Sequence, residues 1–149
     1  MITVKRTNSD NKDFQRLVHE LDKDLSIRNG EVNAFFAQYN QLDTIKNVVV
    51  VYNEVQAVAC GAMKQYDAHT MEIKRMFVPF ENRGNGFAKL VLQELENWTS
   101  ELGYDKCILE TGNKMPEAIS LYHKCGFKVT PNYGQYEHIS SSICFEKIL

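Results

Sequence analysis

Hydrophobic and polar positions follow two periodicities that trade places along the chain. Phe14, Leu17, Val18, Leu21 and Leu25 recur at helical spacing behind Ser9-Asp10-Asn11, a polar start suited to an N-cap. They predict a helix over about residues 11–27, ended near Asn29-Gly30. Val32, Phe35, Phe36 and Tyr39 predict a second, shorter helix. The texture then changes. Residues 47–52 are β-branched, Asn53-Glu54 fits a tight turn, and residues 55–64 are again strand-like, so the pair reads as an antiparallel hairpin. Residues 71–78 predict a third long strand, stopped by Pro79. Phe87, Leu90, Val91, Leu95, Trp98 and Leu102 mark an amphipathic helix with Gly103 in the C′ position. Residues 106–111 form a short buried strand, Pro116 opens a helix where proline is tolerated, and Gly126 closes it. Residues 127–130 and 142–149 read as closing strands. The order ααβββαβαββ, without repeat or linker, predicts one α/β (α+β) domain over 1–149 built on a mixed sheet.

Composition narrows the classes further. A chain of 149 residues, 44% hydrophobic and 24% charged, has room for one domain and one core. It is not a disordered tail, a collagen-like fibre or a disulfide-dense miniature. The net charge of −2 supplies no basic field for nucleic acid. The longest apolar run, residues 48–52, is far short of the roughly 20 residues of a membrane helix. The start Met1-Ile2-Thr3-Val4-Lys5-Arg6 lacks a secretory h-region, so a cytoplasmic address is expected, with no membrane partner. Cys60, Cys107, Cys125 and Cys144 make no C-x-x-C pair, and His19, His69, His123 and His138 join no cysteine at zinc spacing. No metal is expected.

The informative segment is Val78-Pro79-Phe80-Glu81-Asn82-Arg83-Gly84-Asn85-Gly86-Phe87-Ala88. A strand enters a glycine-bearing loop that opens directly into a long helix. The first N–H groups of that helix lack intrahelical partners and sit at the positive end of its dipole. Two glycines let the backbone approach a bulky anion, and Arg83 adds a cation, which together make a phosphate cradle. The same loop also reads as an ordinary glycine turn with a surface arginine. A P-loop is excluded, because Gly86 is followed by Phe87-Ala88 rather than Lys and Ser or Thr. A dinucleotide fingerprint lacks its third glycine, where Lys89 stands, and its glycines lie too far past the strand. Glu110, ending the next strand, is placed like a ribose-binding carboxylate and keeps a nicotinamide-dinucleotide reading open.

Arg83-Gly84-Asn85-Gly86-Phe87-Ala88 resembles the R-x-x-G-x-A pyrophosphate loop of the GNAT superfamily of acyl-CoA N-acyltransferases. Pro116-Glu117-Ala118-Ile119-Ser120-Leu121-Tyr122-His123-Lys124-Cys125-Gly126-Phe127 resembles that superfamily's A-x-x-L-Y-x-x-x-G-F helix. The resemblance implies a GNAT-like three-layer fold with acetyl-CoA as acetyl donor. It places the pantetheine arm between strands 71–78 and 106–111, against the backbone of Met76, Phe77 and Val78. The pyrophosphate falls on Arg83 and the N–H groups of Gly84, Asn85, Gly86, Phe87 and Ala88, and Asn113 steadies the coenzyme. Asn113 reads equally as a loop residue in its own Asx turn.

The resemblance also makes Tyr122 the donor to the departing thiolate, against the bland reading of a core tyrosine beside Ala118 and Cys125. The acceptor amine must lose a proton. Glu72 is the first candidate base or amine-binding group and Glu110 the second; either is also a plain surface charge or an ion-pair partner of Lys74 or Arg75. Asp22, Asp24, Arg28, Tyr133 and Tyr136 fall where the superfamily builds its acceptor site, although charges on such a helix read first as its solvated face. The expectation is an N-acetyltransferase acting by direct transfer on a small primary amine, amino-acid-like or polyamine-like, and compatible with a homodimer. A nonenzymatic coenzyme A sensor is the alternative from another class.

Overall fold

Strand β2 (Asn47–Asn53) carries four consecutive valines, Val48, Val49, Val50 and Val51, all fully buried. Side chains of a strand alternate between two faces, so such a run requires cover on both. The structure, a computed structural model, supplies that cover. It describes residues 1–29 and 44–149, and the helix expected from Val32 to Tyr39 lies outside them. In chain order the remaining described elements are β1 (Ile2–Thr7), α1 (Lys12–Asn29), β3 (Gln56–Asp67), β4 (Thr70–Phe77), α2 (Phe87–Glu101), β5 (Lys106–Gly112), α3 (Pro116–Lys124), β6 (Lys128–Thr130) and β7 (Ser142–Ile148). The strands form one sheet in the order β1-β2-β3-β4-β5-β7-β6.

β1 is a correction to the sequence-based order, which began on a helix. Its register on β2 sets Val4 opposite Val51 and Arg6 opposite Val49, so this edge strand is closed by a partner more than forty residues away. Phe14, Leu17, Val18 and Leu21 of α1 pack on Val48, Val50 and Ala62. On the other face α2 and α3 cover Val49, Val51, Leu109 and Phe145. Three layers result, with the two-faced valine run at their centre.

α2 lies close to the sheet because β3 offers it a glycine. A Cβ on Gly61 would come within 2.6 Å of both Met76 Sδ and Val91 Cγ1. α2 and α3 then end alike. Tyr104 N–H donates to Thr99 O and Gly103 N–H to Ser100 O; Phe127 N–H donates to Tyr122 O and Gly126 N–H to His123 O. These are Schellman caps with glycine at C′ in the left-handed region, as the sequence predicted for Gly103 and Gly126. In α3 the apolar contact of the cap is Phe127 against Tyr122, with ring centroids 5.8 Å apart.

Two irregularities open the middle of the sheet. Between Ala62↔Lys74 and Cys60↔Phe77, β4 carries one more residue than β3, and Arg75 takes the extra place at φ 58°. A left-handed arginine costs about 1–2 kcal/mol, strain of the kind found where a strand is bent for function. Beyond it, β4 and β5 pair in parallel at only three positions, Thr70↔Lys106, Met71↔Cys107 and Glu72↔Ile108. Both strands continue past that point, to Phe77 and Gly112, and diverge. The sheet therefore contains a wedge.

Candidate active site

The wedge opens toward two connected cavities. The larger, of about 270 Å³, runs along Met76, Phe77 and Val78 to Arg83, Gly84 and Gly86 at the start of α2. The smaller, of about 110 Å³, lies deeper, between β4 and β5, walled by Glu72, Lys74, Glu110, Tyr122 and Tyr136. Leu21, Met76, Met115, Ala118 and Tyr122 line both, so one groove leads from the helix terminus into the chamber.

The outer end is built for an anion. Gly86 is the N-cap of α2 at φ 78°, and no acidic residue occupies the first turn; no side chain of that turn offsets the free N–H groups and the dipole. A Cβ at Gly84 or Gly86 would touch nothing within 4 Å, so what these glycines serve is left-handed backbone rather than internal packing. Asn85 Nδ2 donates to the carbonyls of Asn82 and Arg83 and holds the loop in shape. Arg83 Nε donates to Val78 O at 2.8 Å, and its Nη2 lies 4.0 Å from Asp24 of α1. The cation is thus anchored beside the cradle, and one lone pair of the Val78 carbonyl is already used. Asn82 Oδ1, in the same wall, is buried without a hydrogen-bond donor among the described residues. A diphosphate on an amide-bearing arm fits this end of the groove. Arg83, Lys89 and the α2 N–H groups would hold the charge, and the unpaired backbone of β4 the amides.

The chamber is a group of titratable side chains around Tyr122. Burial pushes the Glu110 carboxyl up to about 7; the hydrogen bond donated by Ser142 Oγ, 2.6 Å from Glu110 Oε2, opposes that rise, and the nearby Glu72 adds to it. Tyr133 Oη donates to Glu72 Oε2 at 2.6 Å, and Lys74 Nζ stands 3.8 Å from Glu72 Oε1. Burial lowers the Lys74 ammonium, with Glu72 working against it. Tyr122 is pushed above the ordinary phenol range, first by burial and then by Glu110, and stays protonated at neutral pH. No hydrogen bond engages its hydroxyl among the described residues, and its ring is fixed by Phe127 and Phe145.

The chamber is roofed by the segment after β6. Asn132 Nδ2 donates to the carbonyls of Tyr136, Ile139 and Ser142 at 3.1–3.2 Å, which ties that segment into one unit. Tyr136 is buried against the chamber, and Tyr133 packs edge-on to Tyr66 and Tyr136. Sequence reasoning named both tyrosines but not Asn132, since a lone loop asparagine carries no signal of three carbonyl partners.

The other expected site residues are placed as follows. Asp22 is paired with Arg75 Nη1 at 2.9 Å, so it ties α1 to the bulge of β4 and lines neither cavity. The side chain of Arg28 lies outside the described residues. Asn113 is exposed past β5 and lines neither cavity; its N–H donates to Ser141 O. Phe77 and Phe87 bury their rings in opposite cores and present backbone to the groove. Ala88 lines the groove, whereas the exposed Asn85 does not. All four cysteines are free, and the described residues hold no group of three metal-ligating side chains. No described helix is long and apolar enough to cross a membrane.

A wedge between parallel strands, closed at one end by a helix N-terminus, defines the fold of the acyl-CoA N-acyltransferases named above. The dinucleotide reading fails on the same geometry, since β4–β5 is the only parallel pair among the described strands and Glu110 faces the chamber. The family model of the acetyltransferase (GNAT) domain matches residues 44–129, and the chain belongs to that family. An uncharacterized N-acetyltransferase of Bacillus subtilis, YsnE, is 31% identical over 63% of this chain and 64% of its own length. The chain spans less than half of the eukaryotic relatives it matches. A Klebsiella pneumoniae protein classed as an acyl-CoA N-acyltransferase superposes with a TM-score of 0.84 over 100% of this chain and 98% of its own, at 24% identity. The PaiA N-acetyltransferase of Thermoplasma acidophilum, solved with coenzyme A, superposes at 0.74 over 100% and 99%, at 18% identity.

Proposed function

We propose that this chain is an N-acetyltransferase carrying acetyl from acetyl-CoA to the primary amine of a small molecule, amino-acid-like or polyamine-like, in a ternary complex. The observation that carries this reading is the meeting of Glu110 and Tyr122 in one chamber at the inner end of the anion groove. Acetyl-CoA supplies an activated thioester. The chain's own residues supply position and proton handling. Holding both reactants in one groove removes much of the entropic part of the barrier.

Glu110 is the base in this reading, ahead of Glu72. A base works best when it titrates near the operating pH, and Glu110 does so at about 7 with Oε1 free of hydrogen bonds among the described residues. Glu72 already accepts from Tyr133 and faces Lys74, an arrangement suited to holding an acceptor's ammonium or its polar tail. As the C–N bond forms and the C–S bond breaks, the amine's proton goes to Glu110. Tyr122 meets the leaving sulfur as a hydrogen-bond donor. A phenol raised above 10 does not hand its proton fully to a thiolate that itself titrates near 8.5. Its contribution is the stronger hydrogen bond to a charged acceptor.

Thiol release from acetyl-CoA, measured against a panel of primary amines, tests the proposal. Amine-dependent release supports it. Binding of coenzyme A without turnover of any amine would favour the sensor reading instead, and no binding at all would end both.

A further inference from the structure

Among the described residues near the groove, Phe80 is the most exposed aromatic side chain, 82% open to solvent. It opens a single 3₁₀ turn, Phe80–Asn82, between the buried Pro79 and Arg83. Asn82 N–H donates to Pro79 O and Arg83 N–H to Phe80 O, so the ring's outward position is set by backbone bonds and not by packing. The guanidinium of Arg83 lies over the ring, its Cζ 5.8 Å from the centroid, while Nε of the same group is bonded to Val78 O. The cation that faces the anion groove is therefore shared with an aromatic face that nothing else in the described fold covers.

We propose that Phe80 is the platform on which the adenine base of coenzyme A stacks. This rests on the acetyl-CoA reading above and adds to it a residue for the nucleoside end. A diphosphate held by Arg83 and the first turn of α2 leaves its nucleoside one ribose away, on the solvent side of the loop. A purine meeting an exposed phenyl ring there gains stacking that neither the glycines nor Arg83 can provide. A lone ring flanked by a cation and by polar loop residues is too small a surface for a protein partner. It matches the size of one base.

Calorimetric binding of two probes, coenzyme A and 4′-phosphopantetheine extended to its diphosphate, tests the assignment; the second keeps the arm and the diphosphate and lacks only the 3′-phosphoadenosine. Phe80→Ala is expected to weaken coenzyme A about tenfold, a loss of ~1.4 kcal/mol, and to leave the diphosphate probe unchanged. Phe80→Trp is expected to restore or exceed wild-type affinity for coenzyme A, whereas Phe80→Leu, which keeps apolar area without a π face, is not. The side chain is exposed, so these variants fold. Equal affinity of Phe80→Ala and wild type for coenzyme A would overturn the stacking role. So would an equal loss for both probes, which would make the ring a support for Arg83. A wild-type protein that binds no coenzyme A at all would overturn the acetyl-CoA reading itself.

Discussion

If Glu110 is the base, then kcat/KM for a saturable amine carries an ascending limb centred on the Glu110 pKa of about 7. Below that pH the rate constant falls about tenfold per unit, as the carboxylate is lost. The acceptor amine titrates about three units higher, near 10.4, so the two limbs are resolved. Glu110→Gln keeps shape and the Ser142 contact but cannot take a proton. It should lower kcat by about 10²–10⁴ and erase the limb at 7. Ser142→Ala removes the one hydrogen bond that favours the charged form, at 2.6 Å, and should move the limb upward by about one to two units. Glu72→Gln should instead raise KM for the acceptor and keep the limb, moved downward because the Glu72 charge no longer helps raise Glu110. The assay is thiol release from pH 5 to 9 with wild type and the three variants. A limb that survives in Glu110→Gln, or vanishes in Glu72→Gln, would refute the assignment.

The same carboxyl makes a stability prediction with a defined sign. Its pKa rises on folding from 4.5 to about 7, so the folded state binds its proton more tightly than the unfolded chain. That contribution is complete below pH 4.5 and is lost as pH climbs through 7; each pKa unit is worth 1.36 kcal/mol, so no more than about 3 kcal/mol is at stake. Glu110→Gln should melt several degrees above wild type at pH 8 and level with it at pH 4, and equal melting at both would contradict the shift. Tyr122→Phe should reduce kcat by about 10–100-fold with KM for acetyl-CoA little changed, since a hydrogen bond to a charged atom is worth about 1.5–3 kcal/mol; an unaltered kcat would leave Tyr122 as core. Gly61→Ala places a methyl 2.6 Å from Met76 Sδ and Val91 Cγ1 and should cost about 1–3 kcal/mol by denaturant titration, and a neutral result would mean that α2 can retreat from β3.

The described elements that rest on local periodicity were legible in the chain. The α1 and α2 stripes, the two C′ glycines and Pro116 at the first turn of α3 are found where spacing predicts them. β1 escaped because Ile2 and Val4 are its only apolar positions, and what makes it a strand is pairing with a distant valine run. The bulge at Arg75 has no sequence signature, since arginine seldom takes positive φ and only the sheet around it imposes the conformation. The cofactor end of the site was readable because backbone and glycines build it at consecutive positions. The acceptor end was not. Glu72, Glu110, Tyr133 and Ser142 come from four separate segments, and which carboxylate is free depends on hydroxyl partners that no spacing encodes.

The divergence of β4 from β5 also bears on how the chain comes apart. Past Glu72 and Ile108 the two halves of the sheet share no ladder bonds, so β1–β4 with α1 on one side and β5–β7 on the other are held together by three residue pairs and by the core and ion pairs of α2, such as Lys147 to Glu96. Cooperative units of folding tend to divide where such bonding is thinnest. The ligand-free chain should open along this seam before it unfolds globally, with amides of β4 beyond Glu72 exchanging early. A ligand lying in the wedge would act as an added strand, merging the two units into one.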